Sequence, residues 1–281
     1  MICPPHYRAE LGESPVWHPM LQRFFWVDIT QKNILTLSEN GQYIETIALP
    51  DKVGCIVVAD NGNLIAALAR ELVEINHATH DIQTICKPDL PHNVMFNDGK
   101  VDCEGRLWVG TKDIDESNPI AALYCFDHTG FHLKEENVII SNGTDWNLDN
   151  TVMYYTDSPK QTIYQYDFEV QTGNISNKRT FAKVEHGYPD GLTVDKLGRV
   201  WGTHWDGSCV TCYSPDGSIH QKVAMECKRP TSCCFGGEDY TQLFITSASI
   251  DMAISEQDKN GYVFIDDTLS IGKPSTLFKL G

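Results

Sequence analysis

A short apolar run recurs along this chain at a nearly fixed spacing, and few folds accommodate such a repeat. Six runs begin at positions 24, 64, 107, 153, 200 and 243, so successive starts lie 40, 43, 46, 47 and 43 residues apart. A turn signal precedes each run, such as Asn61-Gly62 or Glu104-Gly105. A further apolar stretch precedes the turn, so each repeat contains a hairpin of two strands.

The rest of each repeat is long enough for a second hairpin. Segments 123–135 and 163–176 supply one, with turns at Thr129-Gly130 and Thr172-Gly173. No long segment has a helical period. Four strands in a period of about 40 to 50 residues are typical of a β-propeller. The sequence therefore predicts an all-β, six-bladed β-propeller with four antiparallel strands per blade around a central channel. An irregular β-sandwich with chance spacing is the alternative.

Length and composition agree with one folded domain over residues 1–281. Hydrophobic residues make up 41% of the chain, which is enough for a large core. The net charge is −16, and no run of Lys and Arg is present. Nucleic acid and anionic membranes are therefore poor partners, because binding phosphate requires a basic patch. We expect a monomer or a weak dimer that binds a small molecule.

Two further observations bear on the compartment. The first residues lack a basic stretch followed by an apolar one, and no window approaches the length of a membrane span. The ten cysteines are mostly scattered, and the Cys209-x-x-Cys212 pair lacks a second pair that would complete a zinc site. We expect reduced, buried cysteines and a cytoplasmic protein.

Aligning the repeats exposes a column of polar residues. Ten or eleven residues before each apolar run, at the start of each blade's first strand, the chain carries Glu13, Gly54, Asn97, Asn142, Asp190 and Ser232. First strands line the channel of a propeller. Two carboxylates and two carboxamides should therefore converge at one end of the channel.

These converging oxygens predict a divalent cation site. Buried carboxylates repel one another and remain unsatisfied unless something binds them. A set of oxygen ligands without His or Cys favours Ca²⁺, with Mg²⁺ or Mn²⁺ as alternatives and Zn²⁺ or Fe²⁺ as further options. Alternatively, each group could cap a turn or bind water in the channel.

At this point the motifs GESPVW, FNDGKVD, SNG, YPDGLTVD and TSCCFGG resemble the regucalcin, gluconolactonase and luciferin-regenerating enzyme family over nearly the whole chain. The resemblance implies a six-bladed propeller with one catalytic divalent cation, whose members often hydrolyse sugar lactones. It implies that Glu13, Asn142 and Asp190 are the metal ligands. It also implies that Asn97 contacts the substrate near the metal.

Two positions depart from the family pattern. Met95 stands where similar proteins carry Arg, two residues before Asn97, and a thioether cannot donate the hydrogen bonds of a guanidinium. Lys112 stands where Met is common, in a segment where the family places an acidic substrate contact. Asp115 is the nearest match for that contact, with Glu116 beside it. We therefore expect Met95 and Asp115 to help determine substrate preference.

The resulting hypothesis is a metal-dependent lactonase that opens a sugar (aldono-) lactone to its hydroxy acid. Asp190 is the candidate catalytic base, because it can contact both the cation and the attacking water. Two alternatives stay open. One is a calcium-binding or scaffold propeller without turnover. The other is a metal-dependent esterase or phosphotriesterase on the same fold.

Overall fold

The six apolar runs of the sequence all become the second strand of an antiparallel sheet, and the six sheets form a six-bladed β-propeller. This computed structural model describes residues 1, 3–4, 7–253, 255, 258–267 and 270–280. Five sheets have four strands, and the sixth has three within the described residues. The predicted fold class is therefore confirmed. Outside the strands, the described chain has one short 3-10 helix, Ser158–Lys160.

The blades follow one another along the chain. The first three blades contain β1 (Gly12–His18), β2 (Arg23–Asp28), β3 (Asn33–Ser38) and β4 (Tyr43–Ala48); β5 (Val53–Val58), β6 (Leu64–Leu68), β7 (Glu71–Ile75) and β8 (Ile82–Cys86); and β9 (Val94–Val101), β10 (Leu107–Asp113), β11 (Ala121–Asp127) and β12 (Gly130–Val138). The last three contain β13 (Ser141–Trp146), β14 (Val152–Asp157), β15 (Thr162–Glu169) and β16 (Asn174–Lys183); β17 (Tyr188–Val194), β18 (Val200–Trp205), β19 (Cys209–Tyr213) and β20 (Ile219–Ala224); and β21 (Pro230–Gly236), β22 (Gln242–Ser247) and β23 (Phe264–Asp267).

The first strand of every blade faces the central channel. These inner strands contact one another in a closed ring, β1 with β5, then β9, β13, β17, β21 and back to β1. Outer strands are progressively more exposed, as β20 shows with five of its six residues exposed. Burial thus falls from the axis outward, as the propeller prediction requires.

The core is divided among the interfaces between neighbouring blades. Six clusters of buried apolar side chains occur, and each of them joins side chains of adjacent blades. Trp17 and Phe24 of the first blade, for example, pack with Phe244 of the sixth. All ten cysteines are free thiols, and seven of them are buried, as expected for a chain with reduced cysteines.

Two blades each contain a buried hydrogen-bond network of the same kind in the turn after the inner strand. After β9, the Asp102 carboxylate accepts hydrogen bonds from Arg106 Nε at 2.7 Å and from Trp108 Nε1 at 2.9 Å. The same spacing recurs after β17, with the residues Asp195, Arg199 and Trp201. Each network joins the turn between the first two strands to the core. The network therefore stabilises the hairpin that carries the inner strand.

Both chain ends are held by the ring. On the N-terminal side, Leu11 pairs with Ala248 of the sixth blade, and Ser249 N donates to Glu10 O at 2.9 Å. On the C-terminal side, residues 270–280 cross the ends of the inner strands. Their contacts reach four blades, through Ile271 with Lys196, Lys273 with Asp145, Phe278 with Val58 and Lys279 with Gly105.

No helix within the described part of the chain is long and apolar enough to cross a bilayer.

The Asp102 network gives a test of stability. Asp102 is fully buried, so Asp102→Ala would leave Arg106 Nε and Trp108 Nε1 without their acceptor. We expect the free energy of unfolding to fall by about 3 kcal/mol. Asp60→Ala, in the exposed turn after β5, is the control and should change it by less than about 0.5 kcal/mol. Equal denaturant midpoints for the two variants would show that the network contributes nothing.

Candidate active site

Each inner strand is interrupted by a β-bulge near the same end of the channel. The register with the second strand shifts once per blade, between Glu13 and Val16, Val53 and Cys55, Phe96 and Gly99, Ser141 and Thr144, Pro189 and Leu192, and Pro230 and Cys233. Every residue of the polar column lies in or next to one of these bulges. A bulge bends its strand and redirects side chains. This local break turns the column residues towards the axis.

The glycine that follows a column residue has a packing role. A Cβ on Gly143 would lie 2.6 Å from Asp190 O, and one on Gly191 would lie 2.0 Å from Ser232 Oγ. Asn142-Gly143 and Asp190-Gly191 therefore form strand segments where neighbouring inner strands approach closely, although either pair alone has the sequence of a turn. Glycine is required here by the space between strands.

Four of the predicted site residues meet in one cavity. Glu13, Asn97, Asn142 and Asp190 line a space of about 360 Å³ at the bulged end of the channel. Each is between 5% and 8% exposed. They come from blades one, three, four and five, so only closure of the ring brings them together. The sequence prediction that these positions converge agrees with this placement.

The Asn142 carboxamide has a defined orientation. Ser158 Oγ donates to the Pro189 carbonyl at 2.7 Å, and so its lone pair accepts from Asn142 Nδ2, also at 2.7 Å. The Asn142 oxygen must then point the other way, where Asn97 Nδ2 donates to it at 3.0 Å. This chain of donors places a carboxamide oxygen on the cavity side.

The carboxyl groups of the channel have raised pKa values. Burial, with the nearby Asp98 charge, raises the pKa of Glu13 to about 8. Burial also raises the pKa of Asp98 to about 6. For Asp190, burial and the charges of Glu13 and Asp98 raise the pKa well above its usual range. Without a cation, this site therefore holds protons near neutral pH.

The donor set fits a hard divalent cation. Asp190 Oδ1 is buried without a hydrogen-bond partner among the described residues. Glu13 Oε2 accepts one hydrogen bond, from Ser14 N at 3.1 Å. No cluster of three or more His, Cys, Asp or Glu side chains suited to a metal occurs in the described part of the chain, so carboxamide oxygens would have to complete the set. Oxygen donors of this kind suit Ca²⁺.

Met95 does not lie where the sequence interpretation placed it. Its side chain is 4% exposed and belongs to the apolar cluster between the first two blades. Met95 is not among the residues that line the cavity. The structure therefore places Met95 in the core next to the bulge that carries Asn97, and its expected influence on substrate preference stays a prediction.

Asp115 is not among the residues that line the cavity, so its role in substrate preference also stays a prediction. Its side chain is exposed and accepts a hydrogen bond from Asn93 Nδ2 at 2.8 Å, away from the residues that line the cavity. Its neighbour Glu116 lines the cavity instead. Glu116 has a φ of 52°, and this left-handed residue turns the chain back over the site. Glu116 is thus the acidic residue of this segment that lines the cavity.

Sequence reasoning missed other residues of the channel. Asp98 follows Asn97 within the same bulge and lines a second space of about 210 Å³ further along the channel. Its position after a column Asn was the available signal. Ser158 was missed because it lies at the end of a second strand. The apolar wall carried no signal in the repeat, and it consists of Leu11, Ile29, Ile140, Pro159, Tyr188 and Trp205.

Comparison with known proteins identifies the family. Residues 11–249 match the family described as SMP-30/Gluconolactonase/LRE-like region. The chain belongs to this family. Regucalcin of Danio rerio is 36% identical over 272 residues, which cover 93% of this chain and 92% of that protein.

Solved structures of the family share the fold. A luciferin-regenerating enzyme, 28% identical, superposes with a TM-score of 0.90 over 97% of this chain and 96% of its own. A calcium-binding protein, regucalcin, from Agrobacterium tumefaciens superposes with a TM-score of 0.93 at 22% identity, over 99% and 97% of the two chains. At that identity, the second likeness concerns the fold alone.

The raised pKa values predict an unusual pH dependence of stability. The folded carboxyl groups bind protons more tightly than the unfolded chain does, so their contribution is complete at low pH and is lost as pH rises from about 4.5 to about 8. Asp190→Asn removes one charge. In a chelator at pH 8, we expect this variant to gain roughly 1 kcal/mol or more in the free energy of unfolding.

Thermal melts at pH 5 and pH 8 would measure this effect. Asp60→Asn, on the exposed turn after β5, is the matched control and should melt as wild type does at both values. If Asp190→Asn were less stable than wild type at pH 8, the Asp190 charge would not be destabilising.

Proposed function

We propose that this protein is a divalent-metal-dependent hydrolase that opens a sugar (aldono-) lactone to its hydroxy acid. The observation that carries the proposal is the unpartnered, buried Asp190 oxygen in the cavity shared with Glu13, Asn97 and Asn142. Membership of a family described by gluconolactonase supports the reaction class.

Glu13, Asn142 and Asp190 are the residues that would hold the cation. The fixed orientation of the Asn142 carboxamide supplies a neutral oxygen, and the two carboxylates supply charge. When bound, the cation polarises the lactone carbonyl and offsets negative charge that develops on its oxygen. We propose that the cation is Ca²⁺, because the similar Agrobacterium protein is named as a calcium-binding protein.

Asp190 is the proposed general base. Its free oxygen can accept a proton from the water that attacks the carbonyl carbon, while its other oxygen remains available to the cation. Asn97 Nδ2 donates hydrogen bonds to Ser141 O at 2.8 Å and to Asn142 Oδ1. The carboxamide oxygen of Asn97 is therefore available to orient substrate or water. Collapse of the tetrahedral intermediate then breaks the ring C–O bond, and the alkoxide that leaves takes up the proton that Asp190 accepted from water.

One observation favours a second reaction. The apolar wall of the cavity, with Ile29, Ile140, Pro159 and Trp205, could hold the aryl group of an ester or a phosphotriester. The alternative without turnover is a calcium-binding or scaffold propeller. A panel of gluconolactone, aryl esters and phosphotriesters with several metals, read by proton release, would separate all three.

We further propose that the protein acts as a monomer or a weak dimer in the cytoplasm on a small molecule, without nucleic acid or membrane partners. Ten free thiols support a reducing compartment. The net charge of −16 opposes binding to phosphate-rich surfaces.

Replacing Asp190 tests the mechanism. Asp190→Ala should lower kcat for gluconolactone by about 10²–10⁴-fold, the range for loss of a general base. Asp60→Ala is the control, since that exposed carboxylate is not among the residues that line the cavity and should not affect turnover. Circular dichroism of both variants would check the fold. A variant without Asp190 that hydrolyses the lactone at the wild-type rate would refute the assignment.

Binding of the cation should release protons. Glu13, with its pKa raised to about 8, is mostly protonated at pH 7 in the free protein and must ionise to bind metal. Affinity for Ca²⁺ should therefore rise by up to about tenfold per pH unit per proton between pH 6 and pH 8. Calorimetry in two buffers of different ionisation enthalpy would count the protons. An affinity independent of pH would contradict this site.

A further inference from the structure

Lys112 places a positive charge in a cavity whose other charged residues are acidic. It lies near the end of β10, and its side chain is 15% exposed. Among the described residues that line the cavity, it is the one cation, whereas Glu13, Glu116 and Asp190 are acidic. Its charge also acts on the site, because it opposes the rise in the pKa of Glu13 and of Asp190.

The Lys112 ammonium has hydrogen-bond donors that no described residue accepts from. Its one described hydrogen bond goes to Glu116 Oε1 at 2.6 Å. An ammonium carries three donors, so two remain for a ligand. The Glu116 carboxylate keeps its second oxygen as an acceptor. The pair thus offers a donor and an acceptor side by side on the cavity rim.

The turn that carries Glu116 is held by the buried Asp113. The Asp113 carboxylate accepts hydrogen bonds from Asn118 N at 2.7 Å, from Ser117 N at 3.1 Å and from Asn93 Nδ2 at 2.7 Å. Glu116 N also donates to Asp113 O at 3.0 Å. A turn with so many bonds presents Glu116 in a fixed position, so little ordering entropy is lost when a ligand binds.

Other residues that line the cavity have a different chemistry. Lys112 and Glu116 belong to the third blade, whereas Pro159, Tyr188 and Trp205 on the fourth and fifth blades form an apolar wall. A ring with hydroxyl groups at its edge and C–H groups on its face suits a cavity that has both kinds of residue.

We infer that Lys112 is a substrate-binding residue that sets specificity. Together with Glu116, it binds neighbouring hydroxyl groups of a polyhydroxylated lactone, while the C–H face of the ring packs on Trp205. This inference rests on the proposed function and names its substrate class. Unsubstituted lactones lack the hydroxyl groups and gain nothing from the pair.

The test compares two lactones in three variants. Lys112→Met should raise KM for glucono-δ-lactone by about tenfold, as expected for loss of a charged hydrogen bond, with kcat almost unchanged. The same variant should leave kcat/KM for δ-valerolactone unaltered. Lys112→Arg should restore KM, because it keeps the cationic donor. Lys87→Met, which removes a surface lysine paired with Glu71, is the control.

The outcomes separate the possible roles of Lys112. Equal losses for both lactones would mean that Lys112 acts through the electrostatics of the site, and no loss for either would mean that it is only a structural ion pair. Either result overturns the inference. If wild type hydrolyses no lactone with any metal, the proposed function fails instead.

A binding measurement keeps the inference testable in that case. Calorimetry with the Ca²⁺-loaded protein would compare 1,5-anhydroglucitol with tetrahydropyran. Wild type should bind the polyol more tightly, and Lys112→Met should lose that preference. Equal binding of the polyol by the two proteins would overturn the inference without any reference to turnover.

Discussion

The close packing of six inner strands around one axis is the constraint on which the rest of this structure depends. Where the strands converge, a Cβ on Gly143 would meet the backbone of β17, so glycine follows the site residue. Regular pairing also fails there, and every inner strand contains a bulge. The bulges turn polar side chains towards the axis. The geometry that closes the ring therefore also assembles the cavity.

That convergence carries an electrostatic cost. Glu13, Asp98 and Asp190 lie in a channel where burial opposes their ionisation; the Asp98 charge also raises the pKa of Glu13, and both charges raise the pKa of Asp190. The positive charge of Lys112 offsets part of this negative charge, but its direct hydrogen bond goes to Glu116. The protein thus retains a site that is unfavourable when empty of positive charge. Such a site gains most from a divalent ion, because the ion relieves repulsion as well as making bonds.

The sequence was sufficient for the architecture and for the polar column, because both repeat with the blade period. It was insufficient wherever one residue of offset decides which way a side chain points. Asn97 faces the cavity while Met95, two residues earlier, is in the core, since the bulge breaks the alternation of the strand. Glu116 lines the cavity in place of Asp115 because of a left-handed turn. The two departures from the family, Met95 and Lys112, proved to be opposite each other on β9 and β10, which no single-strand reading could reveal.

The C-terminal segment has a consequence for the order of folding. Residues 270–280 contact blades two, three, four and five, whose own residues precede them by many positions in the chain. During synthesis these blades can form early, but the segment that fastens them does not yet exist. The ring must therefore be held by its inter-blade cores alone until residues 270–280 have been made. Residues 270–280 then contact those four blades at once, so a nascent chain stalled before residue 270 would carry a propeller without these contacts.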